Sequence, residues 1–150
     1  MTLFEFERDF AGSLRCIPML ARMKLDLCGI KLSLRQWSRF SHEERATLVD
    51  LPFENDADKE AYRALLLTLI ETRTDEPARF LATDSFEEWE KAHTVPDIVA
   101  TQAIRDGIRE PTLLEWRNLT PLQRFSLVKL SRCSHENANF RPAMREFLGR

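Results

Sequence analysis

The strongest constraint on the fold is a near-repeat. The stretch SLRQWSRFSHEERATLVDL, residues 33–51, returns as TLLEWRNLTPLQRFSLVKL, residues 112–130, with six of nineteen positions identical. This composition gives about one such identity by chance. The match runs upstream, where IPMLARMKLDLCGIK, residues 17–31, pairs with VPDIVATQAIRDGIR, residues 95–109. Pro18 meets Pro96, Gly29 meets Gly107 and Ile30 meets Ile108 at an offset of 78, which becomes 79 from Ser33 onward. Whatever the first copy builds, the second must be able to build as well.

The repeated polar positions have a helical meaning. Ser33 precedes Gln36 by three, Ser41 precedes Glu44, Thr112 precedes Glu115 and Thr120 precedes Gln123. In each pair the hydroxyl can accept from a first-turn amide while the Glu or Gln reaches back to the cap amide. Pro121, directly after Thr120, stands where a missing N–H costs nothing. Each copy is therefore expected to start one short helix near Trp37 or Trp116 and a second at Ser41 or Thr120.

Ahead of these boxes, Ile17, Leu20, Ala21, Leu25 and Cys28 fall at helical spacing, with Arg22, Lys24 and Asp26 read as off that stripe. Gly29 and Gly107 supply the left-handed residue that ends such a helix. Behind the boxes, residues 56–73 are rich in helix formers and apolar nearly all round from Ala64 to Ile70, as in a central buried helix. The counterpart is ENANFRPAMREFLGR, where Pro142 is expected to kink or delay the helix. SFEEWEKA, with Ser85 as cap and Glu88 as its reciprocal partner, is expected to form a short helix between the copies. The opening LFEFERDF alternates like a strand without an evident partner. It is expected to be an extended arm whose Phe4, Phe6 and Phe10 pack onto helices. The expected fold is all-α: one domain, 1–150, with an arm at 1–10, repeat units at about 16–73 and 95–148, and a linker at 74–94.

Charge narrows the function. With 22 basic and 24 acidic side chains the net charge is −2, so no whole-molecule field gathers a polyanion, and a helix-turn-helix DNA binder is disfavoured. No window approaches the roughly 18 apolar residues of a membrane span. The acidic start, with Glu5, Glu7 and Asp9, is unlike a signal peptide. Three cysteines without an export signal point to reduced thiols in the cytoplasm. GxSxG, P-loop, GxGxxG and HExxH motifs are all missing, so nothing makes a positive case for an enzyme.

Two places hold polar chemistry beyond what the repeat requires. Cys16 follows Arg15 and precedes the helix expected near Pro18; both neighbours favour a thiolate. Its counterpart, Thr94, points instead to a small capping residue. CSHEN, residues 133–137, is the densest polar cluster, and Cys16, Cys133 and His135 are candidate metal ligands without a ligand-spacing signature. Cys28, whose counterpart is Asp106, reads as core. His42 and His93 read as solvated, and Asp84, Glu87, Glu88 and Glu90 as an acidic solvated run.

FEFERDF, SLRCIPMLARMKLDLCGIKLSLRQW and LQRFSLVKLSRCSHENANF resemble the nitrate reductase-associated proteins of bacteria, with LRCIPM, residues 14–19, and HENANF, residues 135–140, the most specific parts. The resemblance implies a cytoplasmic, non-enzymatic accessory to assimilatory nitrate reductase, partnered with the reductase or its molybdenum-cofactor machinery. The resemblance supplies no catalytic residues to carry over, and no cofactor is expected. The expected partner-binding face comprises Arg15, Cys16, His135, Glu136 and Asn137. The alternative is a thiol or metal protein of cofactor assembly.

Overall fold

A computed structural model describes residues 3–81, 89–132 and 137–149. It is predominantly helical, as the capping boxes predict. The chain divides into two compact units, Met1–Ser85 and Phe86–Arg150. In the first unit lie α1 (Arg8–Ala11), α2 (Met19–Cys28), α3 (Leu34–Arg39), α4 (His42–Asp50) and α5 (Asp56–Arg73). A two-residue ladder joins them: β1 (Ile30–Lys31) runs antiparallel to β2 (Arg79–Phe80), with Ile30 opposite Phe80 and Lys31 opposite Arg79. The second unit holds α6 (Asp97–Arg105), α7 (Leu113–Asn118), α8 (Pro121–Arg132) and α9 (Phe140–Leu148), the last preceded by a 3-10 turn, Asn137–Asn139.

All four capping boxes form. Ser33, Ser41 and Thr112 each accept from the backbone N–H three residues on, and the Gln or Glu at that position returns the bond. Thr120 and Gln123 make the same exchange, at 2.9 and 3.1 Å. Gly29 and Gly107 both sit in the left-handed region, at φ 71° and 70°, just beyond α2 and α6. An L side chain at either position would be strained.

Four expectations need correction. The N-terminal arm is not extended: Glu5–Glu7 is a 3-10 turn that leads into α1. Its alternation is deceptive because Glu7, 1% exposed, belongs to the interior. One carboxylate oxygen accepts from the Phe4 N–H at 3.0 Å and the other from the Met19 N–H at 2.9 Å. Phe4, Phe6 and Phe10 are half-buried.

Helix α5 is not apolar-packed all round. Tyr62, Leu66, Leu69 and Ile70 are buried while Ala64 and Thr68 are exposed, since a unit this small lacks the volume to surround a helix. Pro142 does not interrupt α9, which runs continuously over Phe140–Leu148. It is the third residue, inside the first turn, where an N–H has no intrahelical acceptor. Of the helix expected in SFEEWEKA, residues 85–88 lie outside the described residues, and Trp89 and Glu90 form a turn.

The fourth correction is Lys24. It lies on the buried stripe, 5% exposed, and its Nζ donates to the carbonyls of Val49 and Leu51, each at 2.6 Å. Those acceptors are orphan carbonyls at the end of α4, so the ammonium acts as a helix C-terminal cap supplied by another helix. The Tyr62 ring lies 5.8 Å below the same nitrogen. Burial lowers the Lys24 pKa, and Asp50 opposes the shift.

Candidate functional site

Leu14, the first residue of LRCIPM, has φ 62°. It is the one non-glycine residue in the left-handed region among those described, and a bulky side chain there costs about 1–2 kcal/mol. Its side chain is fully buried. Two donors converge on its carbonyl: the buried Trp37 indole Nε1 at 2.7 Å and a nitrogen of the half-buried Arg45 guanidinium at 3.2 Å. Packing on one side and a double hydrogen bond on the other hold the chain in a conformation it would otherwise leave.

The strained corner presents the two residues that follow. Arg15 is exposed and Cys16 half-buried. Ile17 and Pro18 then dive into the interior, and the Ile17 carbonyl accepts from Arg22 Nε at 3.0 Å. Helix α2 begins after Pro18, which makes no side-chain capping bond, and α6 begins likewise after Pro96. Neither Cys16 nor Thr94 is therefore the cap. The anion at the N-terminus of α2 is the Glu7 carboxylate, delivered from twelve residues upstream.

The strain is separable by experiment. Leu14→Ala and Leu14→Gly remove the same buried side chain but differ in tolerance of positive φ. The glycine variant is expected to be more stable by about 1 kcal/mol in urea unfolding. Equal stabilities would show that the left-handed geometry carries no strain.

A comparable pair of donors occurs in the second unit. Trp116 Nε1 donates to the Lys91 carbonyl at 3.1 Å, and Arg124 Nε donates to the Trp89 carbonyl at 2.8 Å. A second Arg124 nitrogen reaches the Leu119 carbonyl at 2.6 Å. Burial lowers the Arg124 pKa. Trp89 also meets the Phe125 ring edge-on, with centroids 5.7 Å apart.

The remaining candidates divide. Asn137 is half-buried and opens the 3-10 turn before α9. Cys133, His135 and Glu136 lie outside the described residues, as do Asp84, Glu87 and Glu88. The structure brings Arg15 and Cys16 together on one corner of the first unit, whereas Asn137 belongs to the second.

Cys28 is core, as its spacing predicts. Its Sγ approaches the Lys59 carbonyl at 3.9 Å. Burial pushes the thiol up to about 11 against the opposing pull of Lys59 and Arg63. His42 and His93 are exposed. Among the described residues, no three His, Cys, Asp or Glu side chains are grouped to hold a metal, and no helix is long and apolar enough to cross a membrane.

Sequence reasoning missed Lys24, Glu7 and Asp106. Gln102 Nε2 donates to Asp106 Oδ1 at 3.2 Å, while Oδ2 is buried with no hydrogen-bond partner among the described residues. Lys24 falls at core spacing but its charge marks it as surface, and the second amide that Glu7 serves lies twelve residues on.

The family model of the conserved nitrate reductase-associated protein matches residues 3–147. The chain belongs to this family. Its match spans both units of the nitrate reductase-associated fold, from the 3-10 turn through α9, and includes the strained LRCIPM corner. No curated protein and no solved structure matches the chain.

Proposed function

We propose that this chain is a non-enzymatic accessory protein for assimilatory nitrate reductase. It acts in the cytoplasm, and protein–protein binding supports maturation, molybdenum-cofactor loading or activity of the reductase. Membership of the nitrate reductase-associated family carries this reading. We further infer that its two units are copies of one helical pattern. The four matched capping boxes and the shared left-handed glycines after α2 and α6 support that inference.

The construction suits a partner-binding role. Short helices held by reciprocal caps keep their surfaces in place, so little ordering entropy is lost when a partner docks. The Arg15–Cys16 corner supplies an exposed cation on a backbone fixed by Trp37 and Arg45.

Affinity-tagged full chain, recovered from cells assimilating nitrate, is expected to retain the reductase. Deletion is expected to lower reductase activity while its polypeptide persists. Failure of both results removes the proposal. Arg15→Glu is expected to weaken retention without changing the unfolding midpoint, because the side chain is exposed and a rim charge acts on association more than on folding.

A further inference from the structure

The outward face of the β1–β2 ladder carries two cations side by side. Ile30 is fully buried and its neighbour Lys31 exposed, so the pleat turns Lys31 away from the core. On the other strand Ala78 packs against the core of the first unit, and Arg79 is exposed. The register sets Lys31 directly opposite Arg79. The Leu81 N–H donates to the Gly29 carbonyl at 2.9 Å, and antiparallel alternation makes Lys31 and Arg79 the next hydrogen-bonded pair, with Cα atoms about 5.5 Å apart. The register is pinned, because a slip of one residue would turn Ile30 out to water.

Like charges directly opposite each other across a ladder destabilise it. Among the described residues nothing relieves this pair: neither side chain is in an ion pair. Glu76, three residues before Arg79, is engaged by Arg35 at 3.5 Å, and Gln36 Nε2 reaches the Pro77 carbonyl at 3.5 Å. Both contacts tie the segment before Arg79 to α3, so the cation is presented on a held backbone.

We propose that Lys31 and Arg79 form a clip for a carboxylate on an acidic segment of a partner protein. One carboxylate between the two cations turns a repulsive cross-strand pair into two attractive contacts. The charge of the clip selects an acidic occupant, and its surroundings select a peptide over a nucleic acid. Asp75, exposed on the same segment, and the net charge of −2 oppose a repeating chain of phosphates. A peptide places its carboxylates singly. Phe80, adjacent to Arg79 and 58% exposed, adds apolar area that the side chains of a peptide can cover. The proposal rests on the accessory reading above for the identity of the partner.

The probe is a blocked peptide of four glutamates, titrated into the full-length chain at about 0.01 M salt and followed by amide NMR. Saturable shifts are expected at residues 29–32 and 78–81. They are expected to weaken at about 0.15 M salt, where the Debye length contracts from about 30 to about 8 Å. Lys31→Gln/Arg79→Gln is expected to bind about tenfold more weakly, about threefold for each exposed cation removed. Arg105→Gln/Arg109→Gln, which removes the same charge from the second unit, is expected to bind like wild type. Lys31→Glu is expected to lose the peptide and yet to unfold at higher urea, because it sets a carboxylate opposite Arg79.

The clip is overturned if shifts are absent at millimolar peptide or fall elsewhere, if a peptide of four glutamines binds equally, or if both double variants weaken binding alike. It is also overturned if Lys31→Glu unfolds at lower urea, since the native pair is then not repulsive. Tighter binding of a thymidine octanucleotide at the same residues assigns the face to nucleic acid and overturns the acidic-peptide reading. Co-purification separates this proposal from the function. Reductase retained equally by wild type and by Lys31→Gln/Arg79→Gln overturns the clip alone, whereas peptide binding without reductase retention overturns the accessory role alone.

Discussion

Replacing Trp37 by alanine is expected to destabilise the first unit by about 3–5 kcal/mol, the range for truncating a buried aromatic side chain. The residue is fully buried. Its ring meets Phe40 edge-on at 6.4 Å, and its indole N–H holds the Leu14 carbonyl at 2.7 Å. Removing the ring leaves a cavity and releases one of the two donors that fix the strained corner. Against a typical stability of about 5–15 kcal/mol, the change consumes a large share of the total.

Trp37→Phe separates the contributions: most of the ring volume stays, and the lost hydrogen bond costs about 1–2 kcal/mol. Urea unfolding monitored by circular dichroism gives both numbers. If Trp37→Phe is as damaging as Trp37→Ala, the indole bond dominates and the cavity argument fails.

The second large effect is expected at Lys24. Lys24→Met keeps the length of the side chain but leaves the Val49 and Leu51 carbonyls without their donor. Each unpaired buried carbonyl costs about 1–3 kcal/mol. Relief of the buried charge offsets part of this, so a net loss of about 2–4 kcal/mol is expected. Thermal unfolding then shifts downward by about 10 °C for a chain of this size.

The pH dependence has a definite sign. Because burial lowers the Lys24 pKa below its unfolded value, the unfolded chain binds the extra proton more readily than the folded one. Stability contributed by this group therefore rises as pH climbs from the folded-state pKa toward the unfolded value of 10.5. The gap between wild type and Lys24→Met is expected to widen in the wild type's favour over that alkaline range. A gap that narrows there would mean that the charged ammonium, rather than its hydrogen-bonding geometry, stabilises α4.

The parts of the fold legible in the sequence are those whose cause is local. A hydroxyl and an amide or carboxylate three residues apart can be read as a box because every participating atom is in that window. Gly29 and Gly107 are readable for the same reason: the helix end needs a left-handed residue, and glycine supplies it.

Lys24 was hidden by its type. It sits on the stripe of Ile17, Ala21 and Cys28, but a cation counts as surface until its acceptors are known, and they lie 25 and 27 residues away. Glu7 is hidden in the same way, since its second amide is twelve residues on and its own window alternates like a strand. Leu14 carries no mark of positive φ, because tertiary packing and two distant donors impose it. Cys16 follows the left-handed backbone at Leu14. Its neighbourhood is unusual because the backbone before it is strained; the nearby helix end is already served by Glu7.

The Lys24 ammonium also sets an order of events during synthesis. Residue 24 leaves the ribosome well before its farther acceptor, Leu51, 27 residues later. At translation rates of about 5–20 residues per second, that interval lasts about 1–5 s. Throughout it, the charge has water as its only full solvation shell, and burying α2 early would strand it. Burial of α2 is thus tied to the presence of α4, because the carbonyls that accept from the buried ammonium lie at the end of that later helix.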